Sequence, residues 1–256
     1  MPFDARIELA ASLLRRSHHA IALTGAGIST PSGIPDFRTP GSGLWERADP
    51  MKVASIHSFR RHPERFYRWV RPMVRLMWEA QPNPAHVALA ELEAMDCLKA
   101  VLTQNIDGLH QRAGSERVLE LHGHLRAVTC LECFRTTPAE EALAAVMEDC
   151  VPVCRHCGGV VKPDVVLFGE QLPSEVFIAA MEEVRAADLV LVAGSSLQVV
   201  PVSKVPALVH SAGGEVIIVN NEPTYADAFA AAVFHQDVAQ VLPRIARAVL
   251  DGAQRA

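Results

Sequence analysis

The chain has 256 residues, half of them hydrophobic, and carries 24 Lys and Arg against 29 Asp and Glu for a formal net charge of -5. That length buries one large core, or a large core and a small one, in a soluble globular protein. No apolar run approaches the roughly 20 residues of a membrane helix, and an acidic balance without a long basic run argues against non-specific nucleic-acid binding, so neither a membrane nor duplex DNA is expected as a partner.

The N-terminal segment reads as an amphipathic helix with Ile7, Ala10, Ala11 and Leu14 as its inward stripe. It lacks the cationic start and apolar middle of a signal peptide, so a cytoplasmic location is expected. A strand over Ala20–Thr24 then runs into Gly25–Arg38, GAGISTPSGIPDFR. A strand that ends in a glycine-rich turn leaves N–H groups free to meet a diphosphate. The full dinucleotide fingerprint is absent, because Thr30 stands where its third glycine would fall. A ligand-free strand-to-helix connection would explain the turn alone. It would not explain Asp36, Phe37 and Arg38, a carboxylate, an aromatic ring and a guanidinium set side by side.

Residues 39–82 carry helical aromatics and several arginines, and a helix is expected over Asn83–Ala94, opened by Pro84. The strand Ala100–Thr103 is followed by Gln104, Asn105, Ile106 and Asp107, where a doubly wound sheet binds its ligand. These groups suit ribose or amide recognition, or an Asx turn that satisfies its own backbone. Glu120-Leu121-His122-Gly123-His124 offers an imidazole for general-base work, although any one of eleven histidines is a weak signal by itself.

Cys130-x-x-Cys133 and Cys154-x-x-Cys157 form two matched knuckles. Their spacing suits four thiolates on one tetrahedral structural zinc, a closed site with no open position for catalysis. A thioredoxin-like dithiol would use a single CxxC at a helix start. Cys150 is an alternative ligand, and Cys97 reads as core.

Further strands are expected at Val165–Phe168, Leu189–Ala193 and Glu215–Asn220, with helices at Glu175–Ala186 and Val238–Leu250. Gly194, Ser195 and Ser196 follow one of these strands, and Asn220, Asn221 and Glu222 another, as contacts for an adenosine half. The alternation predicts an α/β fold, a doubly wound (Rossmann-like) parallel sheet with a small helical and zinc-binding domain formed by two insertions. The expected division is 1–38, 83–128 and 160–256 for the dinucleotide domain, with 39–82 and 129–159 for the small one.

Taken together, GAGIST with SGIPDFR, TQNIDGLH, LHG, the two CxxC knuckles, KPDVVLFGE, GSSLQVVP and the late VNNE resemble the sirtuin family of NAD-dependent protein deacylases over nearly the whole chain. The resemblance implies NAD as a consumed co-substrate, one structural zinc, and acyl-lysine-bearing proteins or peptides as partners. It makes Gly25, Ala26, Gly27, Ile28 and Ser29 cofactor-loop residues and Asp36, Phe37 and Arg38 the segment closing over the nicotinamide end. Ile106 and Asp107 match carboxamide-holding positions, Gln104 and Asn105 lie near the adjoining ribose, and His122 matches the catalytic base, with Asn105 and Asp107 counted beside it. Gly194, Ser195, Ser196, Asn220, Asn221 and Glu222 match the adenosine side. An added peptide strand is implied between a Val165–Glu170 segment (Val165, Phe168, Gly169, Glu170) and a Ser196–Val199 segment (Leu197, Val199), with Phe37, Val165 and Phe168 lining an acyl tunnel. Core packing alone would also account for Val165. The implied products are nicotinamide, free lysine and O-acetyl-ADP-ribose; the alternatives are a mono-ADP-ribosyltransferase or a deacylase preferring another acyl group. Sirtuins that prefer succinyl or malonyl groups carry Tyr-x-x-Arg, whereas Tyr67 is followed three residues on by Val70. A neutral acyl group is therefore expected.

Overall fold

The computed structural model describes residues 1–37, 39, 43–46 and 48–254. In chain order its elements are α1 (Phe3–Arg16), β1 (Ala20–Thr24), α2 (Pro50–Val53), α3 (Ile56–Arg61), α4 (Pro63–Glu79), α5 (Pro84–Ala94), β2 (Ala100–Thr103), α6 (Leu109–Ala113), β3 (Val118–Glu120), β4 (Gly123–Cys130), β5 (Thr136–Pro138), α7 (Glu140–Met147), β6 (Val161–Val165), α8 (Ser174–Ala186), β7 (Leu189–Ala193), α9 (Val205–Ser211), β8 (Glu215–Val219), β9 (Ala232–Phe234) and α10 (Val238–Ala253). No helix among the described residues is long and apolar enough to cross a membrane.

The main sheet has six parallel strands in the order β3-β2-β1-β7-β8-β9. Its central strands β1, β2 and β7 are buried at every residue, as expected where helices cover both faces of a parallel sheet. The period of two divides their side chains cleanly. Ala20, Ala22, Val101, Leu191 and Ile217 pack with α1, α5 and α10 on one face; Ile21, Leu23, Leu102, Val190 and Ile218 pack with α8 and α9 on the other. The expected stripe of α1 is buried in full, Ile7, Ala10, Ala11 and Leu14 all facing the core. Helix α5 begins as the sequence suggests, with Pro84 in its first turn and the Asn83 side chain accepting from the Ala85 N–H at 2.9 Å.

A second, three-stranded antiparallel sheet runs β5-β4-β6, so it takes in residues from Gly123 onward and from 161 to 165. Helices α3 and α4 share an apolar cluster with it, in which Phe59, Phe66, Tyr67 and Val70 meet Val165 and Leu167. Tyr67 donates its hydroxyl to the Val161 carbonyl at 2.6 Å, and Arg71 Nε donates to the Val146 carbonyl at 2.6 Å while its guanidinium pairs with Asp149. These bonds stitch α4 to both β6 and α7.

The strand expected at Val165–Phe168 is displaced. Ladder pairing with β4 ends at Val165, and residues 166–168 continue as extended chain whose N–H groups go elsewhere, Val166 to the His122 carbonyl at 2.9 Å and Phe168 to the Ala54 carbonyl at 2.9 Å. An apolar run marks the extended conformation but not the partner.

Candidate active site

Strands β1 and β7 are neighbours although the chain visits β2 to β6 between them, so the loops after them meet at the point where the strand order reverses. Doubly wound sheets bind ligands at such a point. The two loops pack backbone on backbone: the Gly27 N–H donates to the Gly194 carbonyl at 2.8 Å, and Gly194 has φ +63° with space for a Cβ only 2.1 Å from the Ile28 nitrogen. The glycines were expected to admit a diphosphate. Gly25 and Gly27 also pack against Gly194, where a Cβ on either would lie within 2.9 Å of its carbonyl oxygen.

Ser29 is the hub of the site. Its hydroxyl donates to Asp107 at 2.7 Å and receives the Asn105 side-chain amide at 3.1 Å, while Asn105 also donates to the Gly25 carbonyl at 3.1 Å. Asn105 is buried and its own N–H is held by Thr103 at 3.1 Å, so β2 fixes its position. Burial pushes the Asp107 carboxyl up, opposed by the Leu109 N–H and by Ser29. Ile106 is half-buried beside it, and Gln104 reaches across to Ser195 at 3.1 Å, joining the β2 and β7 loops.

His122 lies at the junction of the two sheets. Its Nδ1 is 3.0 Å from the Gln104 carbonyl, an acceptor only, so Nδ1 carries the proton and Nε2 presents a lone pair with no partner among the described residues. Burial lowers its pKa below the ordinary 6.5, only partly opposed by that hydrogen bond, so the ring is neutral and basic at pH 7. Gly123 next to it has φ +75°, and a Cβ there would fall 2.0 Å from the Asp164 carbonyl oxygen. Glycine is required because β6 passes directly over this position.

Two further histidines, not singled out in the sequence, lie behind Ser29. The Asn83 N–H donates to His86 Nδ1 at 3.3 Å and His86 Nε2 lies 3.5 Å from the Ser29 hydroxyl, while His110 Nε2 bonds Thr24 at 2.9 Å. Both are fully buried, with burial lowering their pKa values to about 4 and about 3. A histidine whose folded pKa is depressed binds fewer protons than the unfolded chain at pH values between the two pKa values. Stability therefore falls as pH drops below about 6.5, partly offset by Asp107, whose raised pKa acts in the opposite sense. Urea unfolding at pH 7 and pH 4.5 should show a loss on the order of 2 to 4 kcal/mol, and a pH-independent midpoint would contradict this.

Phe37 stacks on Trp45 at 5.0 Å, Trp45 stacks on Trp69 at 5.4 Å and meets Phe168 edge-on at 5.9 Å. Phe37 and Phe168 thus share one aromatic wall, built around a tryptophan that the sequence motifs do not mark. The Thr39 N–H donates to Asp36 at 2.7 Å and the Trp45 N–H to the Phe37 carbonyl at 3.0 Å, tying Trp45 to Phe37 at this wall. Arg38 lies outside the described residues. Ala26 is half-buried and Ile28 fully buried in the core.

Val165 is buried in the apolar cluster of α4, whereas Phe168 and Gly169 are exposed. Glu170 accepts from the Leu167 N–H at 2.8 Å and pairs with Lys162 at 3.1 Å. In the loop after β7, Leu197 is buried against the main core at φ +54°, Ser196 and Val199 are half-buried, and Ser195 is buried. On the far side Asn220 is buried and donates to the Glu222 carbonyl at 2.6 Å, with Asn221 and Glu222 exposed.

The four knuckle cysteines converge, their sulfurs all within 4.8 Å of one another. Cys130 and Cys157 are 3.5 Å apart and Cys133 and Cys154 3.8 Å. A tetrahedron with Zn–S bonds of about 2.3 Å requires S···S near 3.8 Å, so the set fits zinc and is too wide for disulfides. Cys150 stands apart, its Sγ 3.6 Å from the Glu148 carbonyl, and Cys97 packs against the main core.

A reversal-point cradle, a neutral histidine at its mouth and a separate four-cysteine module define a dinucleotide-using enzyme with a structural metal. The family model for the Sir2 family matches residues 25–201. An NAD-dependent protein deacylase of Archaeoglobus fulgidus is 48% identical over 247 residues, 96% of this chain and 97% of its own length. An NAD-dependent protein deacetylase of Sulfurisphaera tokodaii is 48% identical over 231 residues, 90% of this chain and 91% of its own. A solved structure addressing the mechanism and regulation of Sir2 enzymes matches at TM-score 0.91 and 46% identity, covering 97% of this chain and 99% of that one. Another, of a Sir2 protein with a deacetylated p53 peptide and 3′-O-acetyl-ADP-ribose, matches at TM-score 0.89 and 40% identity, covering 96% and 98%. The chain belongs to the Sir2 family.

Proposed function

We propose that the chain is an NAD-dependent protein-lysine deacetylase that converts acetyl-lysine and NAD to lysine, nicotinamide and O-acetyl-ADP-ribose. The observation that carries the reading is His122, a neutral imidazole with its proton fixed on Nδ1 and its Nε2 unpartnered among the described residues. NAD supplies an electrophilic ribose carbon with nicotinamide as its leaving group. Asn105 and Asp107, oriented through Ser29, hold the nicotinamide end, with Ile106 on the carboxamide and Gln104 near the ribose. The loop of Asp36 and Phe37 closes over them with Trp45 and excludes water from the reacting carbon. The acetyl oxygen bonds that carbon as nicotinamide leaves, His122 Nε2 takes the proton of a ribose hydroxyl so that this oxygen attacks the acyl carbon, and the lysine amine leaves as one water is added to give O-acetyl-ADP-ribose. Gly194, Ser195, Ser196, Asn220, Asn221 and Glu222 form the adenosine side, and the peptide adds as a strand between Phe168–Glu170 and Leu197–Val199. We also propose the division into a dinucleotide domain and a small domain set out above, and a cytoplasmic location, where four zinc-bound thiolates stay reduced.

The acyl group is acetyl or another neutral chain. Phe37, Trp45 and Phe168 give the wall an apolar surface, the Tyr67 hydroxyl is engaged by Val161, and Arg71 by Val146 and Asp149. Relatives of solved structure have been seen with a propionylated peptide and with a myristoylated histone peptide, both neutral acyl groups. Incubation with NAD and acetylated peptide should release one nicotinamide per acetyl lost. Nicotinamide release with ADP-ribose retained on protein would replace this reading with the transferase, and faster turnover of succinyl-lysine would overturn the acyl assignment.

A further inference from the structure

Helices α2 to α4 carry a charge of opposite sign to the rest of the chain. Residues 50–79 hold seven Lys and Arg against two carboxylates, Glu64 and Glu79, in a chain of net charge -5. Part of this charge is neutralised locally, Arg71 by Asp149 and Arg75 by Glu79 at 3.7 Å. The side chains of Arg65 and Arg68 have no hydrogen bond or ion pair with any other described residue, and Lys52 has only a loose contact to Asp49 at 3.8 Å. The three cations line one open groove of about 350 Å³ with Val53 and Trp69. Arg65 and Arg68 are three apart on α4 and so share a face. Asp49 reaches Lys52 only at 3.8 Å and Glu64 pairs with His62 at 3.3 Å, so the groove keeps a positive excess that favours an anion.

The groove adjoins the segment assigned to the peptide. Val53 precedes Ala54, whose carbonyl accepts from the Phe168 N–H at 2.9 Å, and the Ile56 N–H donates to the Phe168 carbonyl at 3.0 Å. Trp69 leads to the same place, through Trp45 to Phe168. We propose that Lys52, Arg65 and Arg68 form a docking subsite for carboxylate side chains of the protein substrate, Asp or Glu residues close in sequence to the acyl-lysine. The subsite rests on the deacylase reading above and adds a sequence preference to backbone pairing that has none. An acidic peptide suits it better than a duplex, because the groove is short and the molecule around it is net negative, which repels a continuous phosphate backbone.

The test compares acetyl-lysine peptides carrying Glu pairs within four residues on either side with the same peptides carrying Gln, in the wild type and in Arg65→Glu/Arg68→Glu. Two exposed charge pairs supply about a fivefold effect, so the wild type should show a KM about fivefold lower for the Glu peptide at low salt, with kcat unchanged. The difference should vanish near 1 M salt, where the Debye length is about 3 Å. The double variant should prefer Gln over Glu while turning over the Gln peptide at the wild-type rate. Fluorescence anisotropy of labelled peptides without coenzyme reads the same preference from binding alone, so failure of the deacylase reading, seen as no turnover of any peptide, is distinguishable from failure of the subsite. Equal KM and equal binding for Glu and Gln peptides, or a preference that survives charge reversal, would overturn the proposal. So would Arg65- and Arg68-dependent binding of a 20-base-pair duplex, or of succinyl-lysine between neutral flanks, in place of the acidic peptide.

Discussion

His122→Ala should lower kcat/KM for deacetylation by about 10²- to 10⁴-fold, the range of a positioned general base, while leaving the fold unchanged. The side chain is half-buried and makes one hydrogen bond, to the Gln104 carbonyl, and the backbone bond from the Val166 N–H to the His122 carbonyl does not depend on it. Circular dichroism and the urea midpoint should therefore stay close to the wild type. The loss should fall on the step that needs a proton removed, so exchange of labelled nicotinamide, which needs no base, should survive better than acetyl loss. In the wild type the acid limb of the pH–rate profile should lie below 6.5, because burial lowers the His122 pKa. A variant within tenfold of the wild type would remove His122 from the mechanism.

Withdrawal of zinc is the larger perturbation. Structural zinc sites bind with apparent free energies of about 10 to 16 kcal/mol, comparable to the whole stability of a domain. The four sulfurs tie residues 130–133 to 154–157, and around them only a small cluster is buried, Val128, Ala139, Ala142 and Val161 beside the cysteines. Four small or medium apolar side chains offer far less than zinc does, so the metal is expected to supply most of the module's stability. Damage should spread along named bonds, because Val161 receives the Tyr67 hydroxyl and β6 leads to Phe168. Chelation, or Cys154→Ser, should thus open residues 123–165 to proteases and reduce deacylation by more than tenfold, although no sulfur touches the reacting atoms. Metal-free protein with unchanged protease resistance and activity would refute the structural role.

The parts of this architecture legible in the sequence are those whose signal is local. Strands β1, β2 and β7 are runs of four or five residues buried on both faces, and the zinc ligands could be named because CxxC spacing is itself the chemistry. β3 and β9 have three residues each, too few to establish a period. The site's second layer was hidden for a different reason. Ser29 and Asp107 are 78 positions apart, and Trp45 meets Phe168 only because α2 and α3 bring Ala54 and Ile56 beside it. His86 and His110 look like any of eleven histidines until burial distinguishes them. The glycine loop was legible, but nothing near Gly25 reveals that Gly194 will lie against it.

The stacked rings give the molecule an unplanned property. Of its three tryptophans, Trp45 rides on the loop beside Phe37 and Trp69 on α4, their planes 12° apart, while Trp78 projects into solvent. Any displacement of Trp45 from Trp69 would break a stacked pair of indoles at 5.4 Å, so the position of the Phe37–Trp45 pair is tied to the chain's own ultraviolet fluorophores.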